Sequence, residues 1–396
     1  VAREDHRREL CRRAGDRRDS AGADQVHRDG GALGRLPGAA ARPALRGRPR
    51  HAALRRHSRV PPLLPRGHSW QLRAACRQAG PPRGDGGRRR QLLCLRRRPA
   101  TRFQGGVAVG VTVHHGVADG RALWTFVEAW AAVCRGETPA TTPCFDRSLV
   151  KLPGGEELAR SVLRKVAPNL PSVAPASSLV EERKRFTRRT FTLDAGGIQR
   201  LKQRIVHLAE SHGAPLPRPP STFTAVVALA WTCFARCKPF YPEDDAQLFF
   251  FADTRDRLDP PVDAGYIGAC LTGSLSKLPV PELRGDHALA AAASEVQDKI
   301  NKVKEAPVAG WNFFTLIADA CLDRIMNISG SSGFRAYEVA DFGWGKPRRT
   351  EPITMNHDGQ VALMRSRDGQ GVQVSVSLLQ PAHMDAFKSS FLELLK

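Results

Sequence analysis

The sequence predicts an α/β protein, and three observations predict it. Short stretches alternate apolar and polar residues at the strand period of two, at Gly106 to Val113, Arg188 to Leu193 and Val372 to Leu378. Longer stretches between them place apolar residues three and four apart, the helix period. No segment repeats at a fixed interval, which excludes solenoids and propellers.

Gly106 to Val113 reads as one strand, with Val107, Val109, Val111 and Val113 on one face. A tight turn, His114 to Gly120, leads into a helix from about Ala122 to Arg135, whose apolar stripe is Leu123, Phe126, Val127, Trp130 and Val133. Residues 136–185, rich in Pro, Ser and Thr, read as a long connection with a helical piece at Glu156 to Val166. A strand at Arg188 to Leu193 and a helix at Gly197 to Ser211 follow. Ser221-Thr222 caps a helix through Phe234, because a Ser hydroxyl satisfies free N–H groups of the first turn. Leu248 to Ala252 is a short strand and Asp286 to Lys304 an alanine-rich helix. Val372 to Leu378 and Pro381 to Leu395 close the chain as strand and helix.

Charge divides the chain. The formal net charge is +22 over 396 residues. Residues 1–102 hold 27 Arg, no Lys and 8 Asp or Glu, a net +19; the other 294 residues hold 34 basic and 31 acidic side chains, a net +3. Residues 1–102 also lack Ile, Phe, Tyr, Met and Asn, the large apolar and strand-forming types a core needs among them. Two readings compete for this segment. A basic arm would bind nucleic acid or another acidic surface, but such arms mix Lys with Arg and interleave aromatics, and Trp70 stands alone here. GC-rich coding sequence translated out of frame would instead give Arg, Ala, Gly and Pro and omit the residues with AT-rich codons. The second reading is favoured, and the segment is assigned no structure.

No stretch approaches the 18 apolar residues of a membrane span, and the N-terminus has no apolar signal core, so a cytoplasmic protein is expected. The nine cysteines are scattered and form no C-x-x-C pair, which fits reduced thiols and predicts no zinc site.

Two motifs carry chemistry. His115 and Asp119, followed by Gly120, form H-x-x-x-D-G at a strand end. A histidine suits the removal of a proton from an attacking alcohol or amine. No Ser or Cys stands there as a nucleophile, so direct transfer without an acyl-enzyme is expected. By spacing alone, the histidine is as readily a structural group, His114 a competing base, or the pair a metal site lacking a third ligand. The second motif is Asp341-Phe342-Gly343-Trp344-Gly345, with Lys346 and Pro347 after it. Its first three letters match a kinase metal motif, but no glycine-rich loop or H-R-D set accompanies them. Glycines around a Trp with a closing Pro describe a rigid turn packed by aromatics.

Taken together, in this order and separation, the two motifs resemble the plant BAHD acyltransferase family. Arg189-Thr190-Phe191-Thr192-Leu193, Ser221-Thr222-Phe223 and Asp253 to Pro261, a D-x-R-x-R-x-x-P-P pattern, are also similar to it. The resemblance covers about residues 103–396 and implies the two-domain coenzyme-A-dependent acyltransferase fold, with the first domain incomplete or garbled. Its domains would be 1–102 (the arginine-rich segment), 103–185 (the rest of the N-terminal domain) and 186–396 (the C-terminal domain). It implies His115 as general base, Asp119 in a salt bridge to Arg255, and Trp344 as donor near the oxyanion. Ser221 and Thr222 would meet coenzyme A phosphates, Lys238 would reach the same nucleotide from that helix's far end, and Gly120, Asp341, Gly343 and Gly345 would support the loops. It also implies a monomer with no permanent cofactor, acyl-CoA as co-substrate, and no nucleic-acid or membrane partner.

Two departures stand out. Nothing in the first hundred residues resembles the family, and Tyr266-Ile267-Gly268-Ala269-Cys270 replaces the Asn of a Y-F-G-N-C pattern with Ala269. Ser366-Arg367-Asp368 and its surroundings look most like the malonyltransferase branch. Malonyl transfer from malonyl-CoA to a sugar hydroxyl of a phenolic or flavonoid glucoside is therefore expected, with Arg348, Arg365 or Arg367 as candidate cations for the malonyl carboxylate. A hydroxycinnamoyl transferase, a non-functional relic and a basic nucleic-acid-binding protein are the alternatives.

Overall fold

In a computed structural model, the structure describes residues 95–97, 101–103, 106–152, 154–168, 185–317, 320–352 and 357–396. All of them fall in one compact unit that runs from Leu64 to Lys396. Apart from its last few residues, the arginine-rich segment lies outside the described residues, and so does most of the connection after residue 168.

Four three-residue strands come first: β1 (Leu95–Arg97), β2 (Thr101–Phe103), β3 (Gly106–Ala108) and β4 (Val111–Val113). β2 pairs with β3, and β1 with β4, both antiparallel. The single strand expected over Gly106 to Val113 is thus corrected to two, which pair with different partners on either side of Val109-Gly110. Glycine offers the backbone freedom for such a break. Helix α1 (Gly120–Cys134) follows, then α2 (Gly155–Val166).

The rest of the described chain builds one sheet and its helices. The strands are β5 (Thr187–Leu193), β6 (Asp245–Asp253), β7 (Leu271–Pro279), β8 (Ile325–Gly330), β9 (Gln360–Arg365) and β10 (Val372–Leu378). They lie in the order β5-β10-β9-β8-β6-β7. The pairs β6–β8 and β8–β9 are parallel and the others antiparallel, so the sheet is mixed. The longer helices are α3 (Ala195–Ser211), α4 (Thr222–Cys237), α5 (Ala288–Glu305) and α6 (Pro381–Glu393).

One face of this sheet makes the main core. Leu248, Phe250, Met326, Ile328, Val361, Leu363, Val374 and Val376 pack with Leu201 and Ile205 of α3, Trp231 and Phe234 of α4, Leu289 and Val296 of α5, and Phe387 and Phe391 of α6. Helix α4 is apolar around its whole circumference, and every residue from Thr224 to Ala235 is buried, as a central helix requires. Alternation turns Phe249 and Phe251 of β6 to the opposite face, where their rings meet edge to face at 4.9 Å. That second face is where the histidine turn sits.

Candidate active site

Strand β4 delivers the chain into the turn His114–Asp119. The Val117 N–H donates to the His114 carbonyl at 2.9 Å. The Gly116 N–H donates to His114 Nδ1 at 3.1 Å, so that nitrogen is occupied as an acceptor inside the turn. His114 is therefore part of the turn's own bonding. His115 is exposed, and its ring lies 6.5 Å from that of Phe251. Both histidines are exposed, and of the two only His114 has a ring nitrogen bonded within the turn.

The turn ends in a buried charge centre. Asp119 is the N-cap of α1, its Oδ1 accepting from the Ala122 N–H at 2.9 Å. The same carboxylate accepts from Arg255 Nη1 at 2.7 Å, from Arg255 Nη2 at 3.1 Å and from the Cys270 N–H at 3.0 Å. Both side chains are fully buried. The Asp119 N–H donates to the Gly268 carbonyl at 3.2 Å, and Arg255 Nη2 to that carbonyl at 2.8 Å. The expected Asp119–Arg255 salt bridge is present in fork geometry. Burial alone would lower the guanidinium's pKa, but hydrogen bonds and charge from Asp119 and Asp253 offset this and raise it.

Asp253 extends the centre, with its Oδ1 3.1 Å from Arg255 Nη1 and its Oδ2 3.2 Å from Arg121 Nη1. Arg121 also reaches Asp256 Oδ2 at 2.9 Å. The histidine turn is thereby fixed to the end of β6 and to residues 268–270. Gly120 supports the same joint: a Cβ there would come within 2.8 Å of the Phe334 ring. From the sequence, Asp253, Gly268 and Cys270 stand only as letters of family-like patterns with no role of their own, and Arg121 is not singled out.

The second motif is a turn of its own. Asp341 Oδ1 accepts from the Gly343 N–H at 2.9 Å and from the Gly345 N–H at 3.0 Å. Gly343 (φ +95°) and Gly345 (φ +88°) both adopt left-handed backbone that favours glycine. Phe342 is buried against Trp130 of α1, ring centroids 4.7 Å apart in an edge contact, and Arg135 Nη1 donates to the Asp341 carbonyl. The loop thus braces the helix that Asp119 caps. Trp344 is 48% exposed, and among the described residues no hydrogen bond or ring contact joins it to His115.

Ser221 caps α4, accepting from the Thr224 N–H at 3.0 Å, while Thr222 opens the first turn. Lys238 sits at the other end of this 16-residue helix, about 24 Å away at 1.5 Å per residue. Its Nζ pairs with Asp358 at 2.6 Å, and the side chain is 7% exposed. The helix holds Ser221 and Lys238 at opposite ends, and the ammonium is paired with Asp358. Of the arginines considered for malonyl, Arg365 lies 3.7 Å from Glu338 and Arg348 is exposed. Arg367 lines a cavity of about 430 Å³ with Thr192, Tyr337, Ser366, Asp368 and Gln373. Among the described residues no group of three or more His, Cys, Asp or Glu is placed to hold a metal ion, and no helix is long and apolar enough to cross a membrane.

Comparison with known proteins places this geometry. The family model described as the Transferase family matches residues 92–394. Phenolic glucoside malonyltransferase 2 of Arabidopsis thaliana is 30% identical over 72% of this chain and 64% of its own length. Agmatine coumaroyltransferase of the same plant is 28% identical, over 72% and 65% respectively. The chain thus spans just under two thirds of the curated relatives it matches. Among solved structures, vinorine synthase superposes with a TM-score of 0.58 at 21% identity, covering 78% of this chain and 68% of that one. TRI101 of F. sporotrichioides, complexed with coenzyme A and T-2, gives 0.54 at 18% identity, covering 75% and 67%. These structures share the fold.

Proposed function

The chain belongs to the Transferase family, the BAHD acyltransferases, and from that premise we propose that it moves an acyl group from coenzyme A onto a hydroxyl. The observation that carries this reading is the exposed His115 at the head of a turn whose far end, Asp119, is locked to Arg255. His115 removes the acceptor's proton as its oxygen attacks the thioester carbonyl. The tetrahedral intermediate then breaks its C–S bond, the proton passes to the departing thiolate, and an ester and free coenzyme A result. Asp119 does not touch substrate. It holds the turn, and its loss leaves an uncompensated buried guanidinium. The free N–H groups at the start of α4, beside Ser221 and Thr222, suit the anionic phosphates of coenzyme A. Trp344 is kept as a candidate oxyanion donor, and its exposure argues against a large effect.

Malonyl-CoA is the favoured donor and a phenolic or flavonoid glucoside the favoured acceptor, supported by the malonyltransferases among the relatives. The cations give that choice little support. Arg367 lies in the turn between β9 and β10, and its cavity also takes in Thr192 of β5 and Gln373 of β10, whereas Phe251 lies on β6. A malonyl carboxylate is two bonds from the carbonyl under attack, so a cation that holds it has to lie close to His115. The coumaroyltransferase relative favours a hydroxycinnamoyl donor as the second reading.

The test is an assay of coenzyme A release with malonyl-CoA and p-coumaroyl-CoA against a phenolic glucoside. His115→Ala is expected to lose about 10²–10⁴-fold in rate. Undiminished transfer by that variant overturns the mechanism, and a preference for p-coumaroyl-CoA overturns the donor.

A further inference from the structure

We propose that Arg147 is a positioning residue for the catalytic turn. It lies in the crossover segment after α1, outside both motifs. Asp146 caps the single helical turn that Arg147 begins, Oδ1 accepting from the Ser148 N–H at 2.9 Å, which sets the backbone from which the guanidinium reaches out. The crossover is also tied beside residues 265–267: the Cys144 N–H donates to the Gly265 carbonyl at 2.8 Å, and the Ile267 N–H to the Cys144 carbonyl at 2.7 Å. From this fixed base Arg147 Nη1 donates to the Tyr266 hydroxyl at 2.9 Å and to the Ile267 carbonyl at 3.2 Å. Its Nη2 donates to the Val117 carbonyl at 3.1 Å. The guanidinium carbon also lies 5.6 Å from the Tyr266 ring centroid.

Val117 is two residues past His115. The turn's end is held by Asp119, and its start by β4. Between them, among the described residues, the Arg147 bond to Val117 is the side-chain tie to the turn from outside it. A planar fork meets acceptors on two segments at once, which a single ammonium cannot. Close packing leaves the fork room only because residue 268 is glycine, where a Cβ would come within 2.1 Å of Arg147 Nη1. The residue itself is exposed, so its bonds steer the turn more than they stabilise the fold. Arg147 acts through Val117 on the direction of the His115 imidazole, and a displacement of about 1 Å at such a group costs about 10²-fold in rate.

The kinetic arm of the test rests on the acyltransferase reading, so a second arm does not need activity. In Arg147→Ala, kcat is expected to fall about 10- to 100-fold, with KM for donor and acceptor and the melting temperature little changed. Hydrogen exchange of the amides at 114–119 should quicken while that of α4 stays as in the wild type. Arg147→Lys should recover part of the loss and Tyr266→Phe should show a smaller one. Unchanged exchange at 114–119 together with unchanged kcat overturns the proposal. So does a loss of rate matched by faster exchange throughout the chain, which marks a merely structural role. Faster exchange confined to the turn in a protein whose wild type transfers no acyl group upholds the positioning and overturns the acyltransferase reading instead.

Discussion

The two motif turns are each organised around an aspartate, and they use it in opposite ways. Asp119 is fully buried and accepts from its own helix, from Arg255 and from Cys270, groups up to 151 residues apart in sequence. Asp341 accepts from Gly343 and Gly345 of its own loop. The first joins separate parts of the chain, and a charge is what can be shared among them. The second is a self-contained clip that needs only short range and left-handed glycines, and it turns Phe342 onto α1. A motif aspartate thus marks either an assembly point or a local turn, and burial tells the two apart.

Removing one half of the assembly point should have the largest effect. Asp119→Ala or Arg255→Ala is expected to cost about 3–5 kcal/mol of unfolding free energy, read from urea titration. The double variant Asp119→Leu with Arg255→Met should cost less than either single change, because no charge is left buried alone. If the double variant is the worse, the pair is not the burdened joint described here. Phe342→Ala comes next, at about 3 kcal/mol, since it removes the buried ring packed on Trp130. Thermal unfolding would measure it. Asp341→Ala removes two turn bonds near the surface and should cost about 1–2 kcal/mol. A loss as large as that of Asp119 would erase the contrast. Trp344→Ala is the smallest, within about 0.5 kcal/mol in stability, because the indole is half exposed. A rate loss beyond tenfold with intact stability would restore Trp344 as a catalytic donor.

Much of the fold was legible where side chains obey the simple periods. Val372–Leu378 was read with its observed bounds, and Ser221 was read as the cap it is. The missed strands show why the rest was not. β7 carries Thr, Gly and Ser where an apolar run would mark a strand, yet Thr272, Ser274 and Ser276 are buried within the sheet. β9 is buried from Gln360 to Met364, so it shows no apolar-polar alternation to read. At the site, the Asp119–Arg255 pair was expected through resemblance alone. Arg147 and Arg121 carried no local signal, because their partners are backbone carbonyls and carboxylates brought near only by the tertiary fold. The Lys238–Asp358 pair was hidden for the same reason, its partners standing 120 residues apart.

The Asp119–Arg255 bond spans 136 residues of chain. Closing a loop of that length costs about 4 kcal/mol of chain entropy, which local structure near the histidine cannot supply. The bond therefore forms only once the sheet that carries β6 has condensed and Gly268 and Cys270 are in place. On a ribosome adding about 5–20 residues per second, the histidine waits roughly 7–28 s before the arginine that anchors its turn is even made. A nascent or truncated chain ending before residue 255 holds the histidine motif without the joint that fixes its turn.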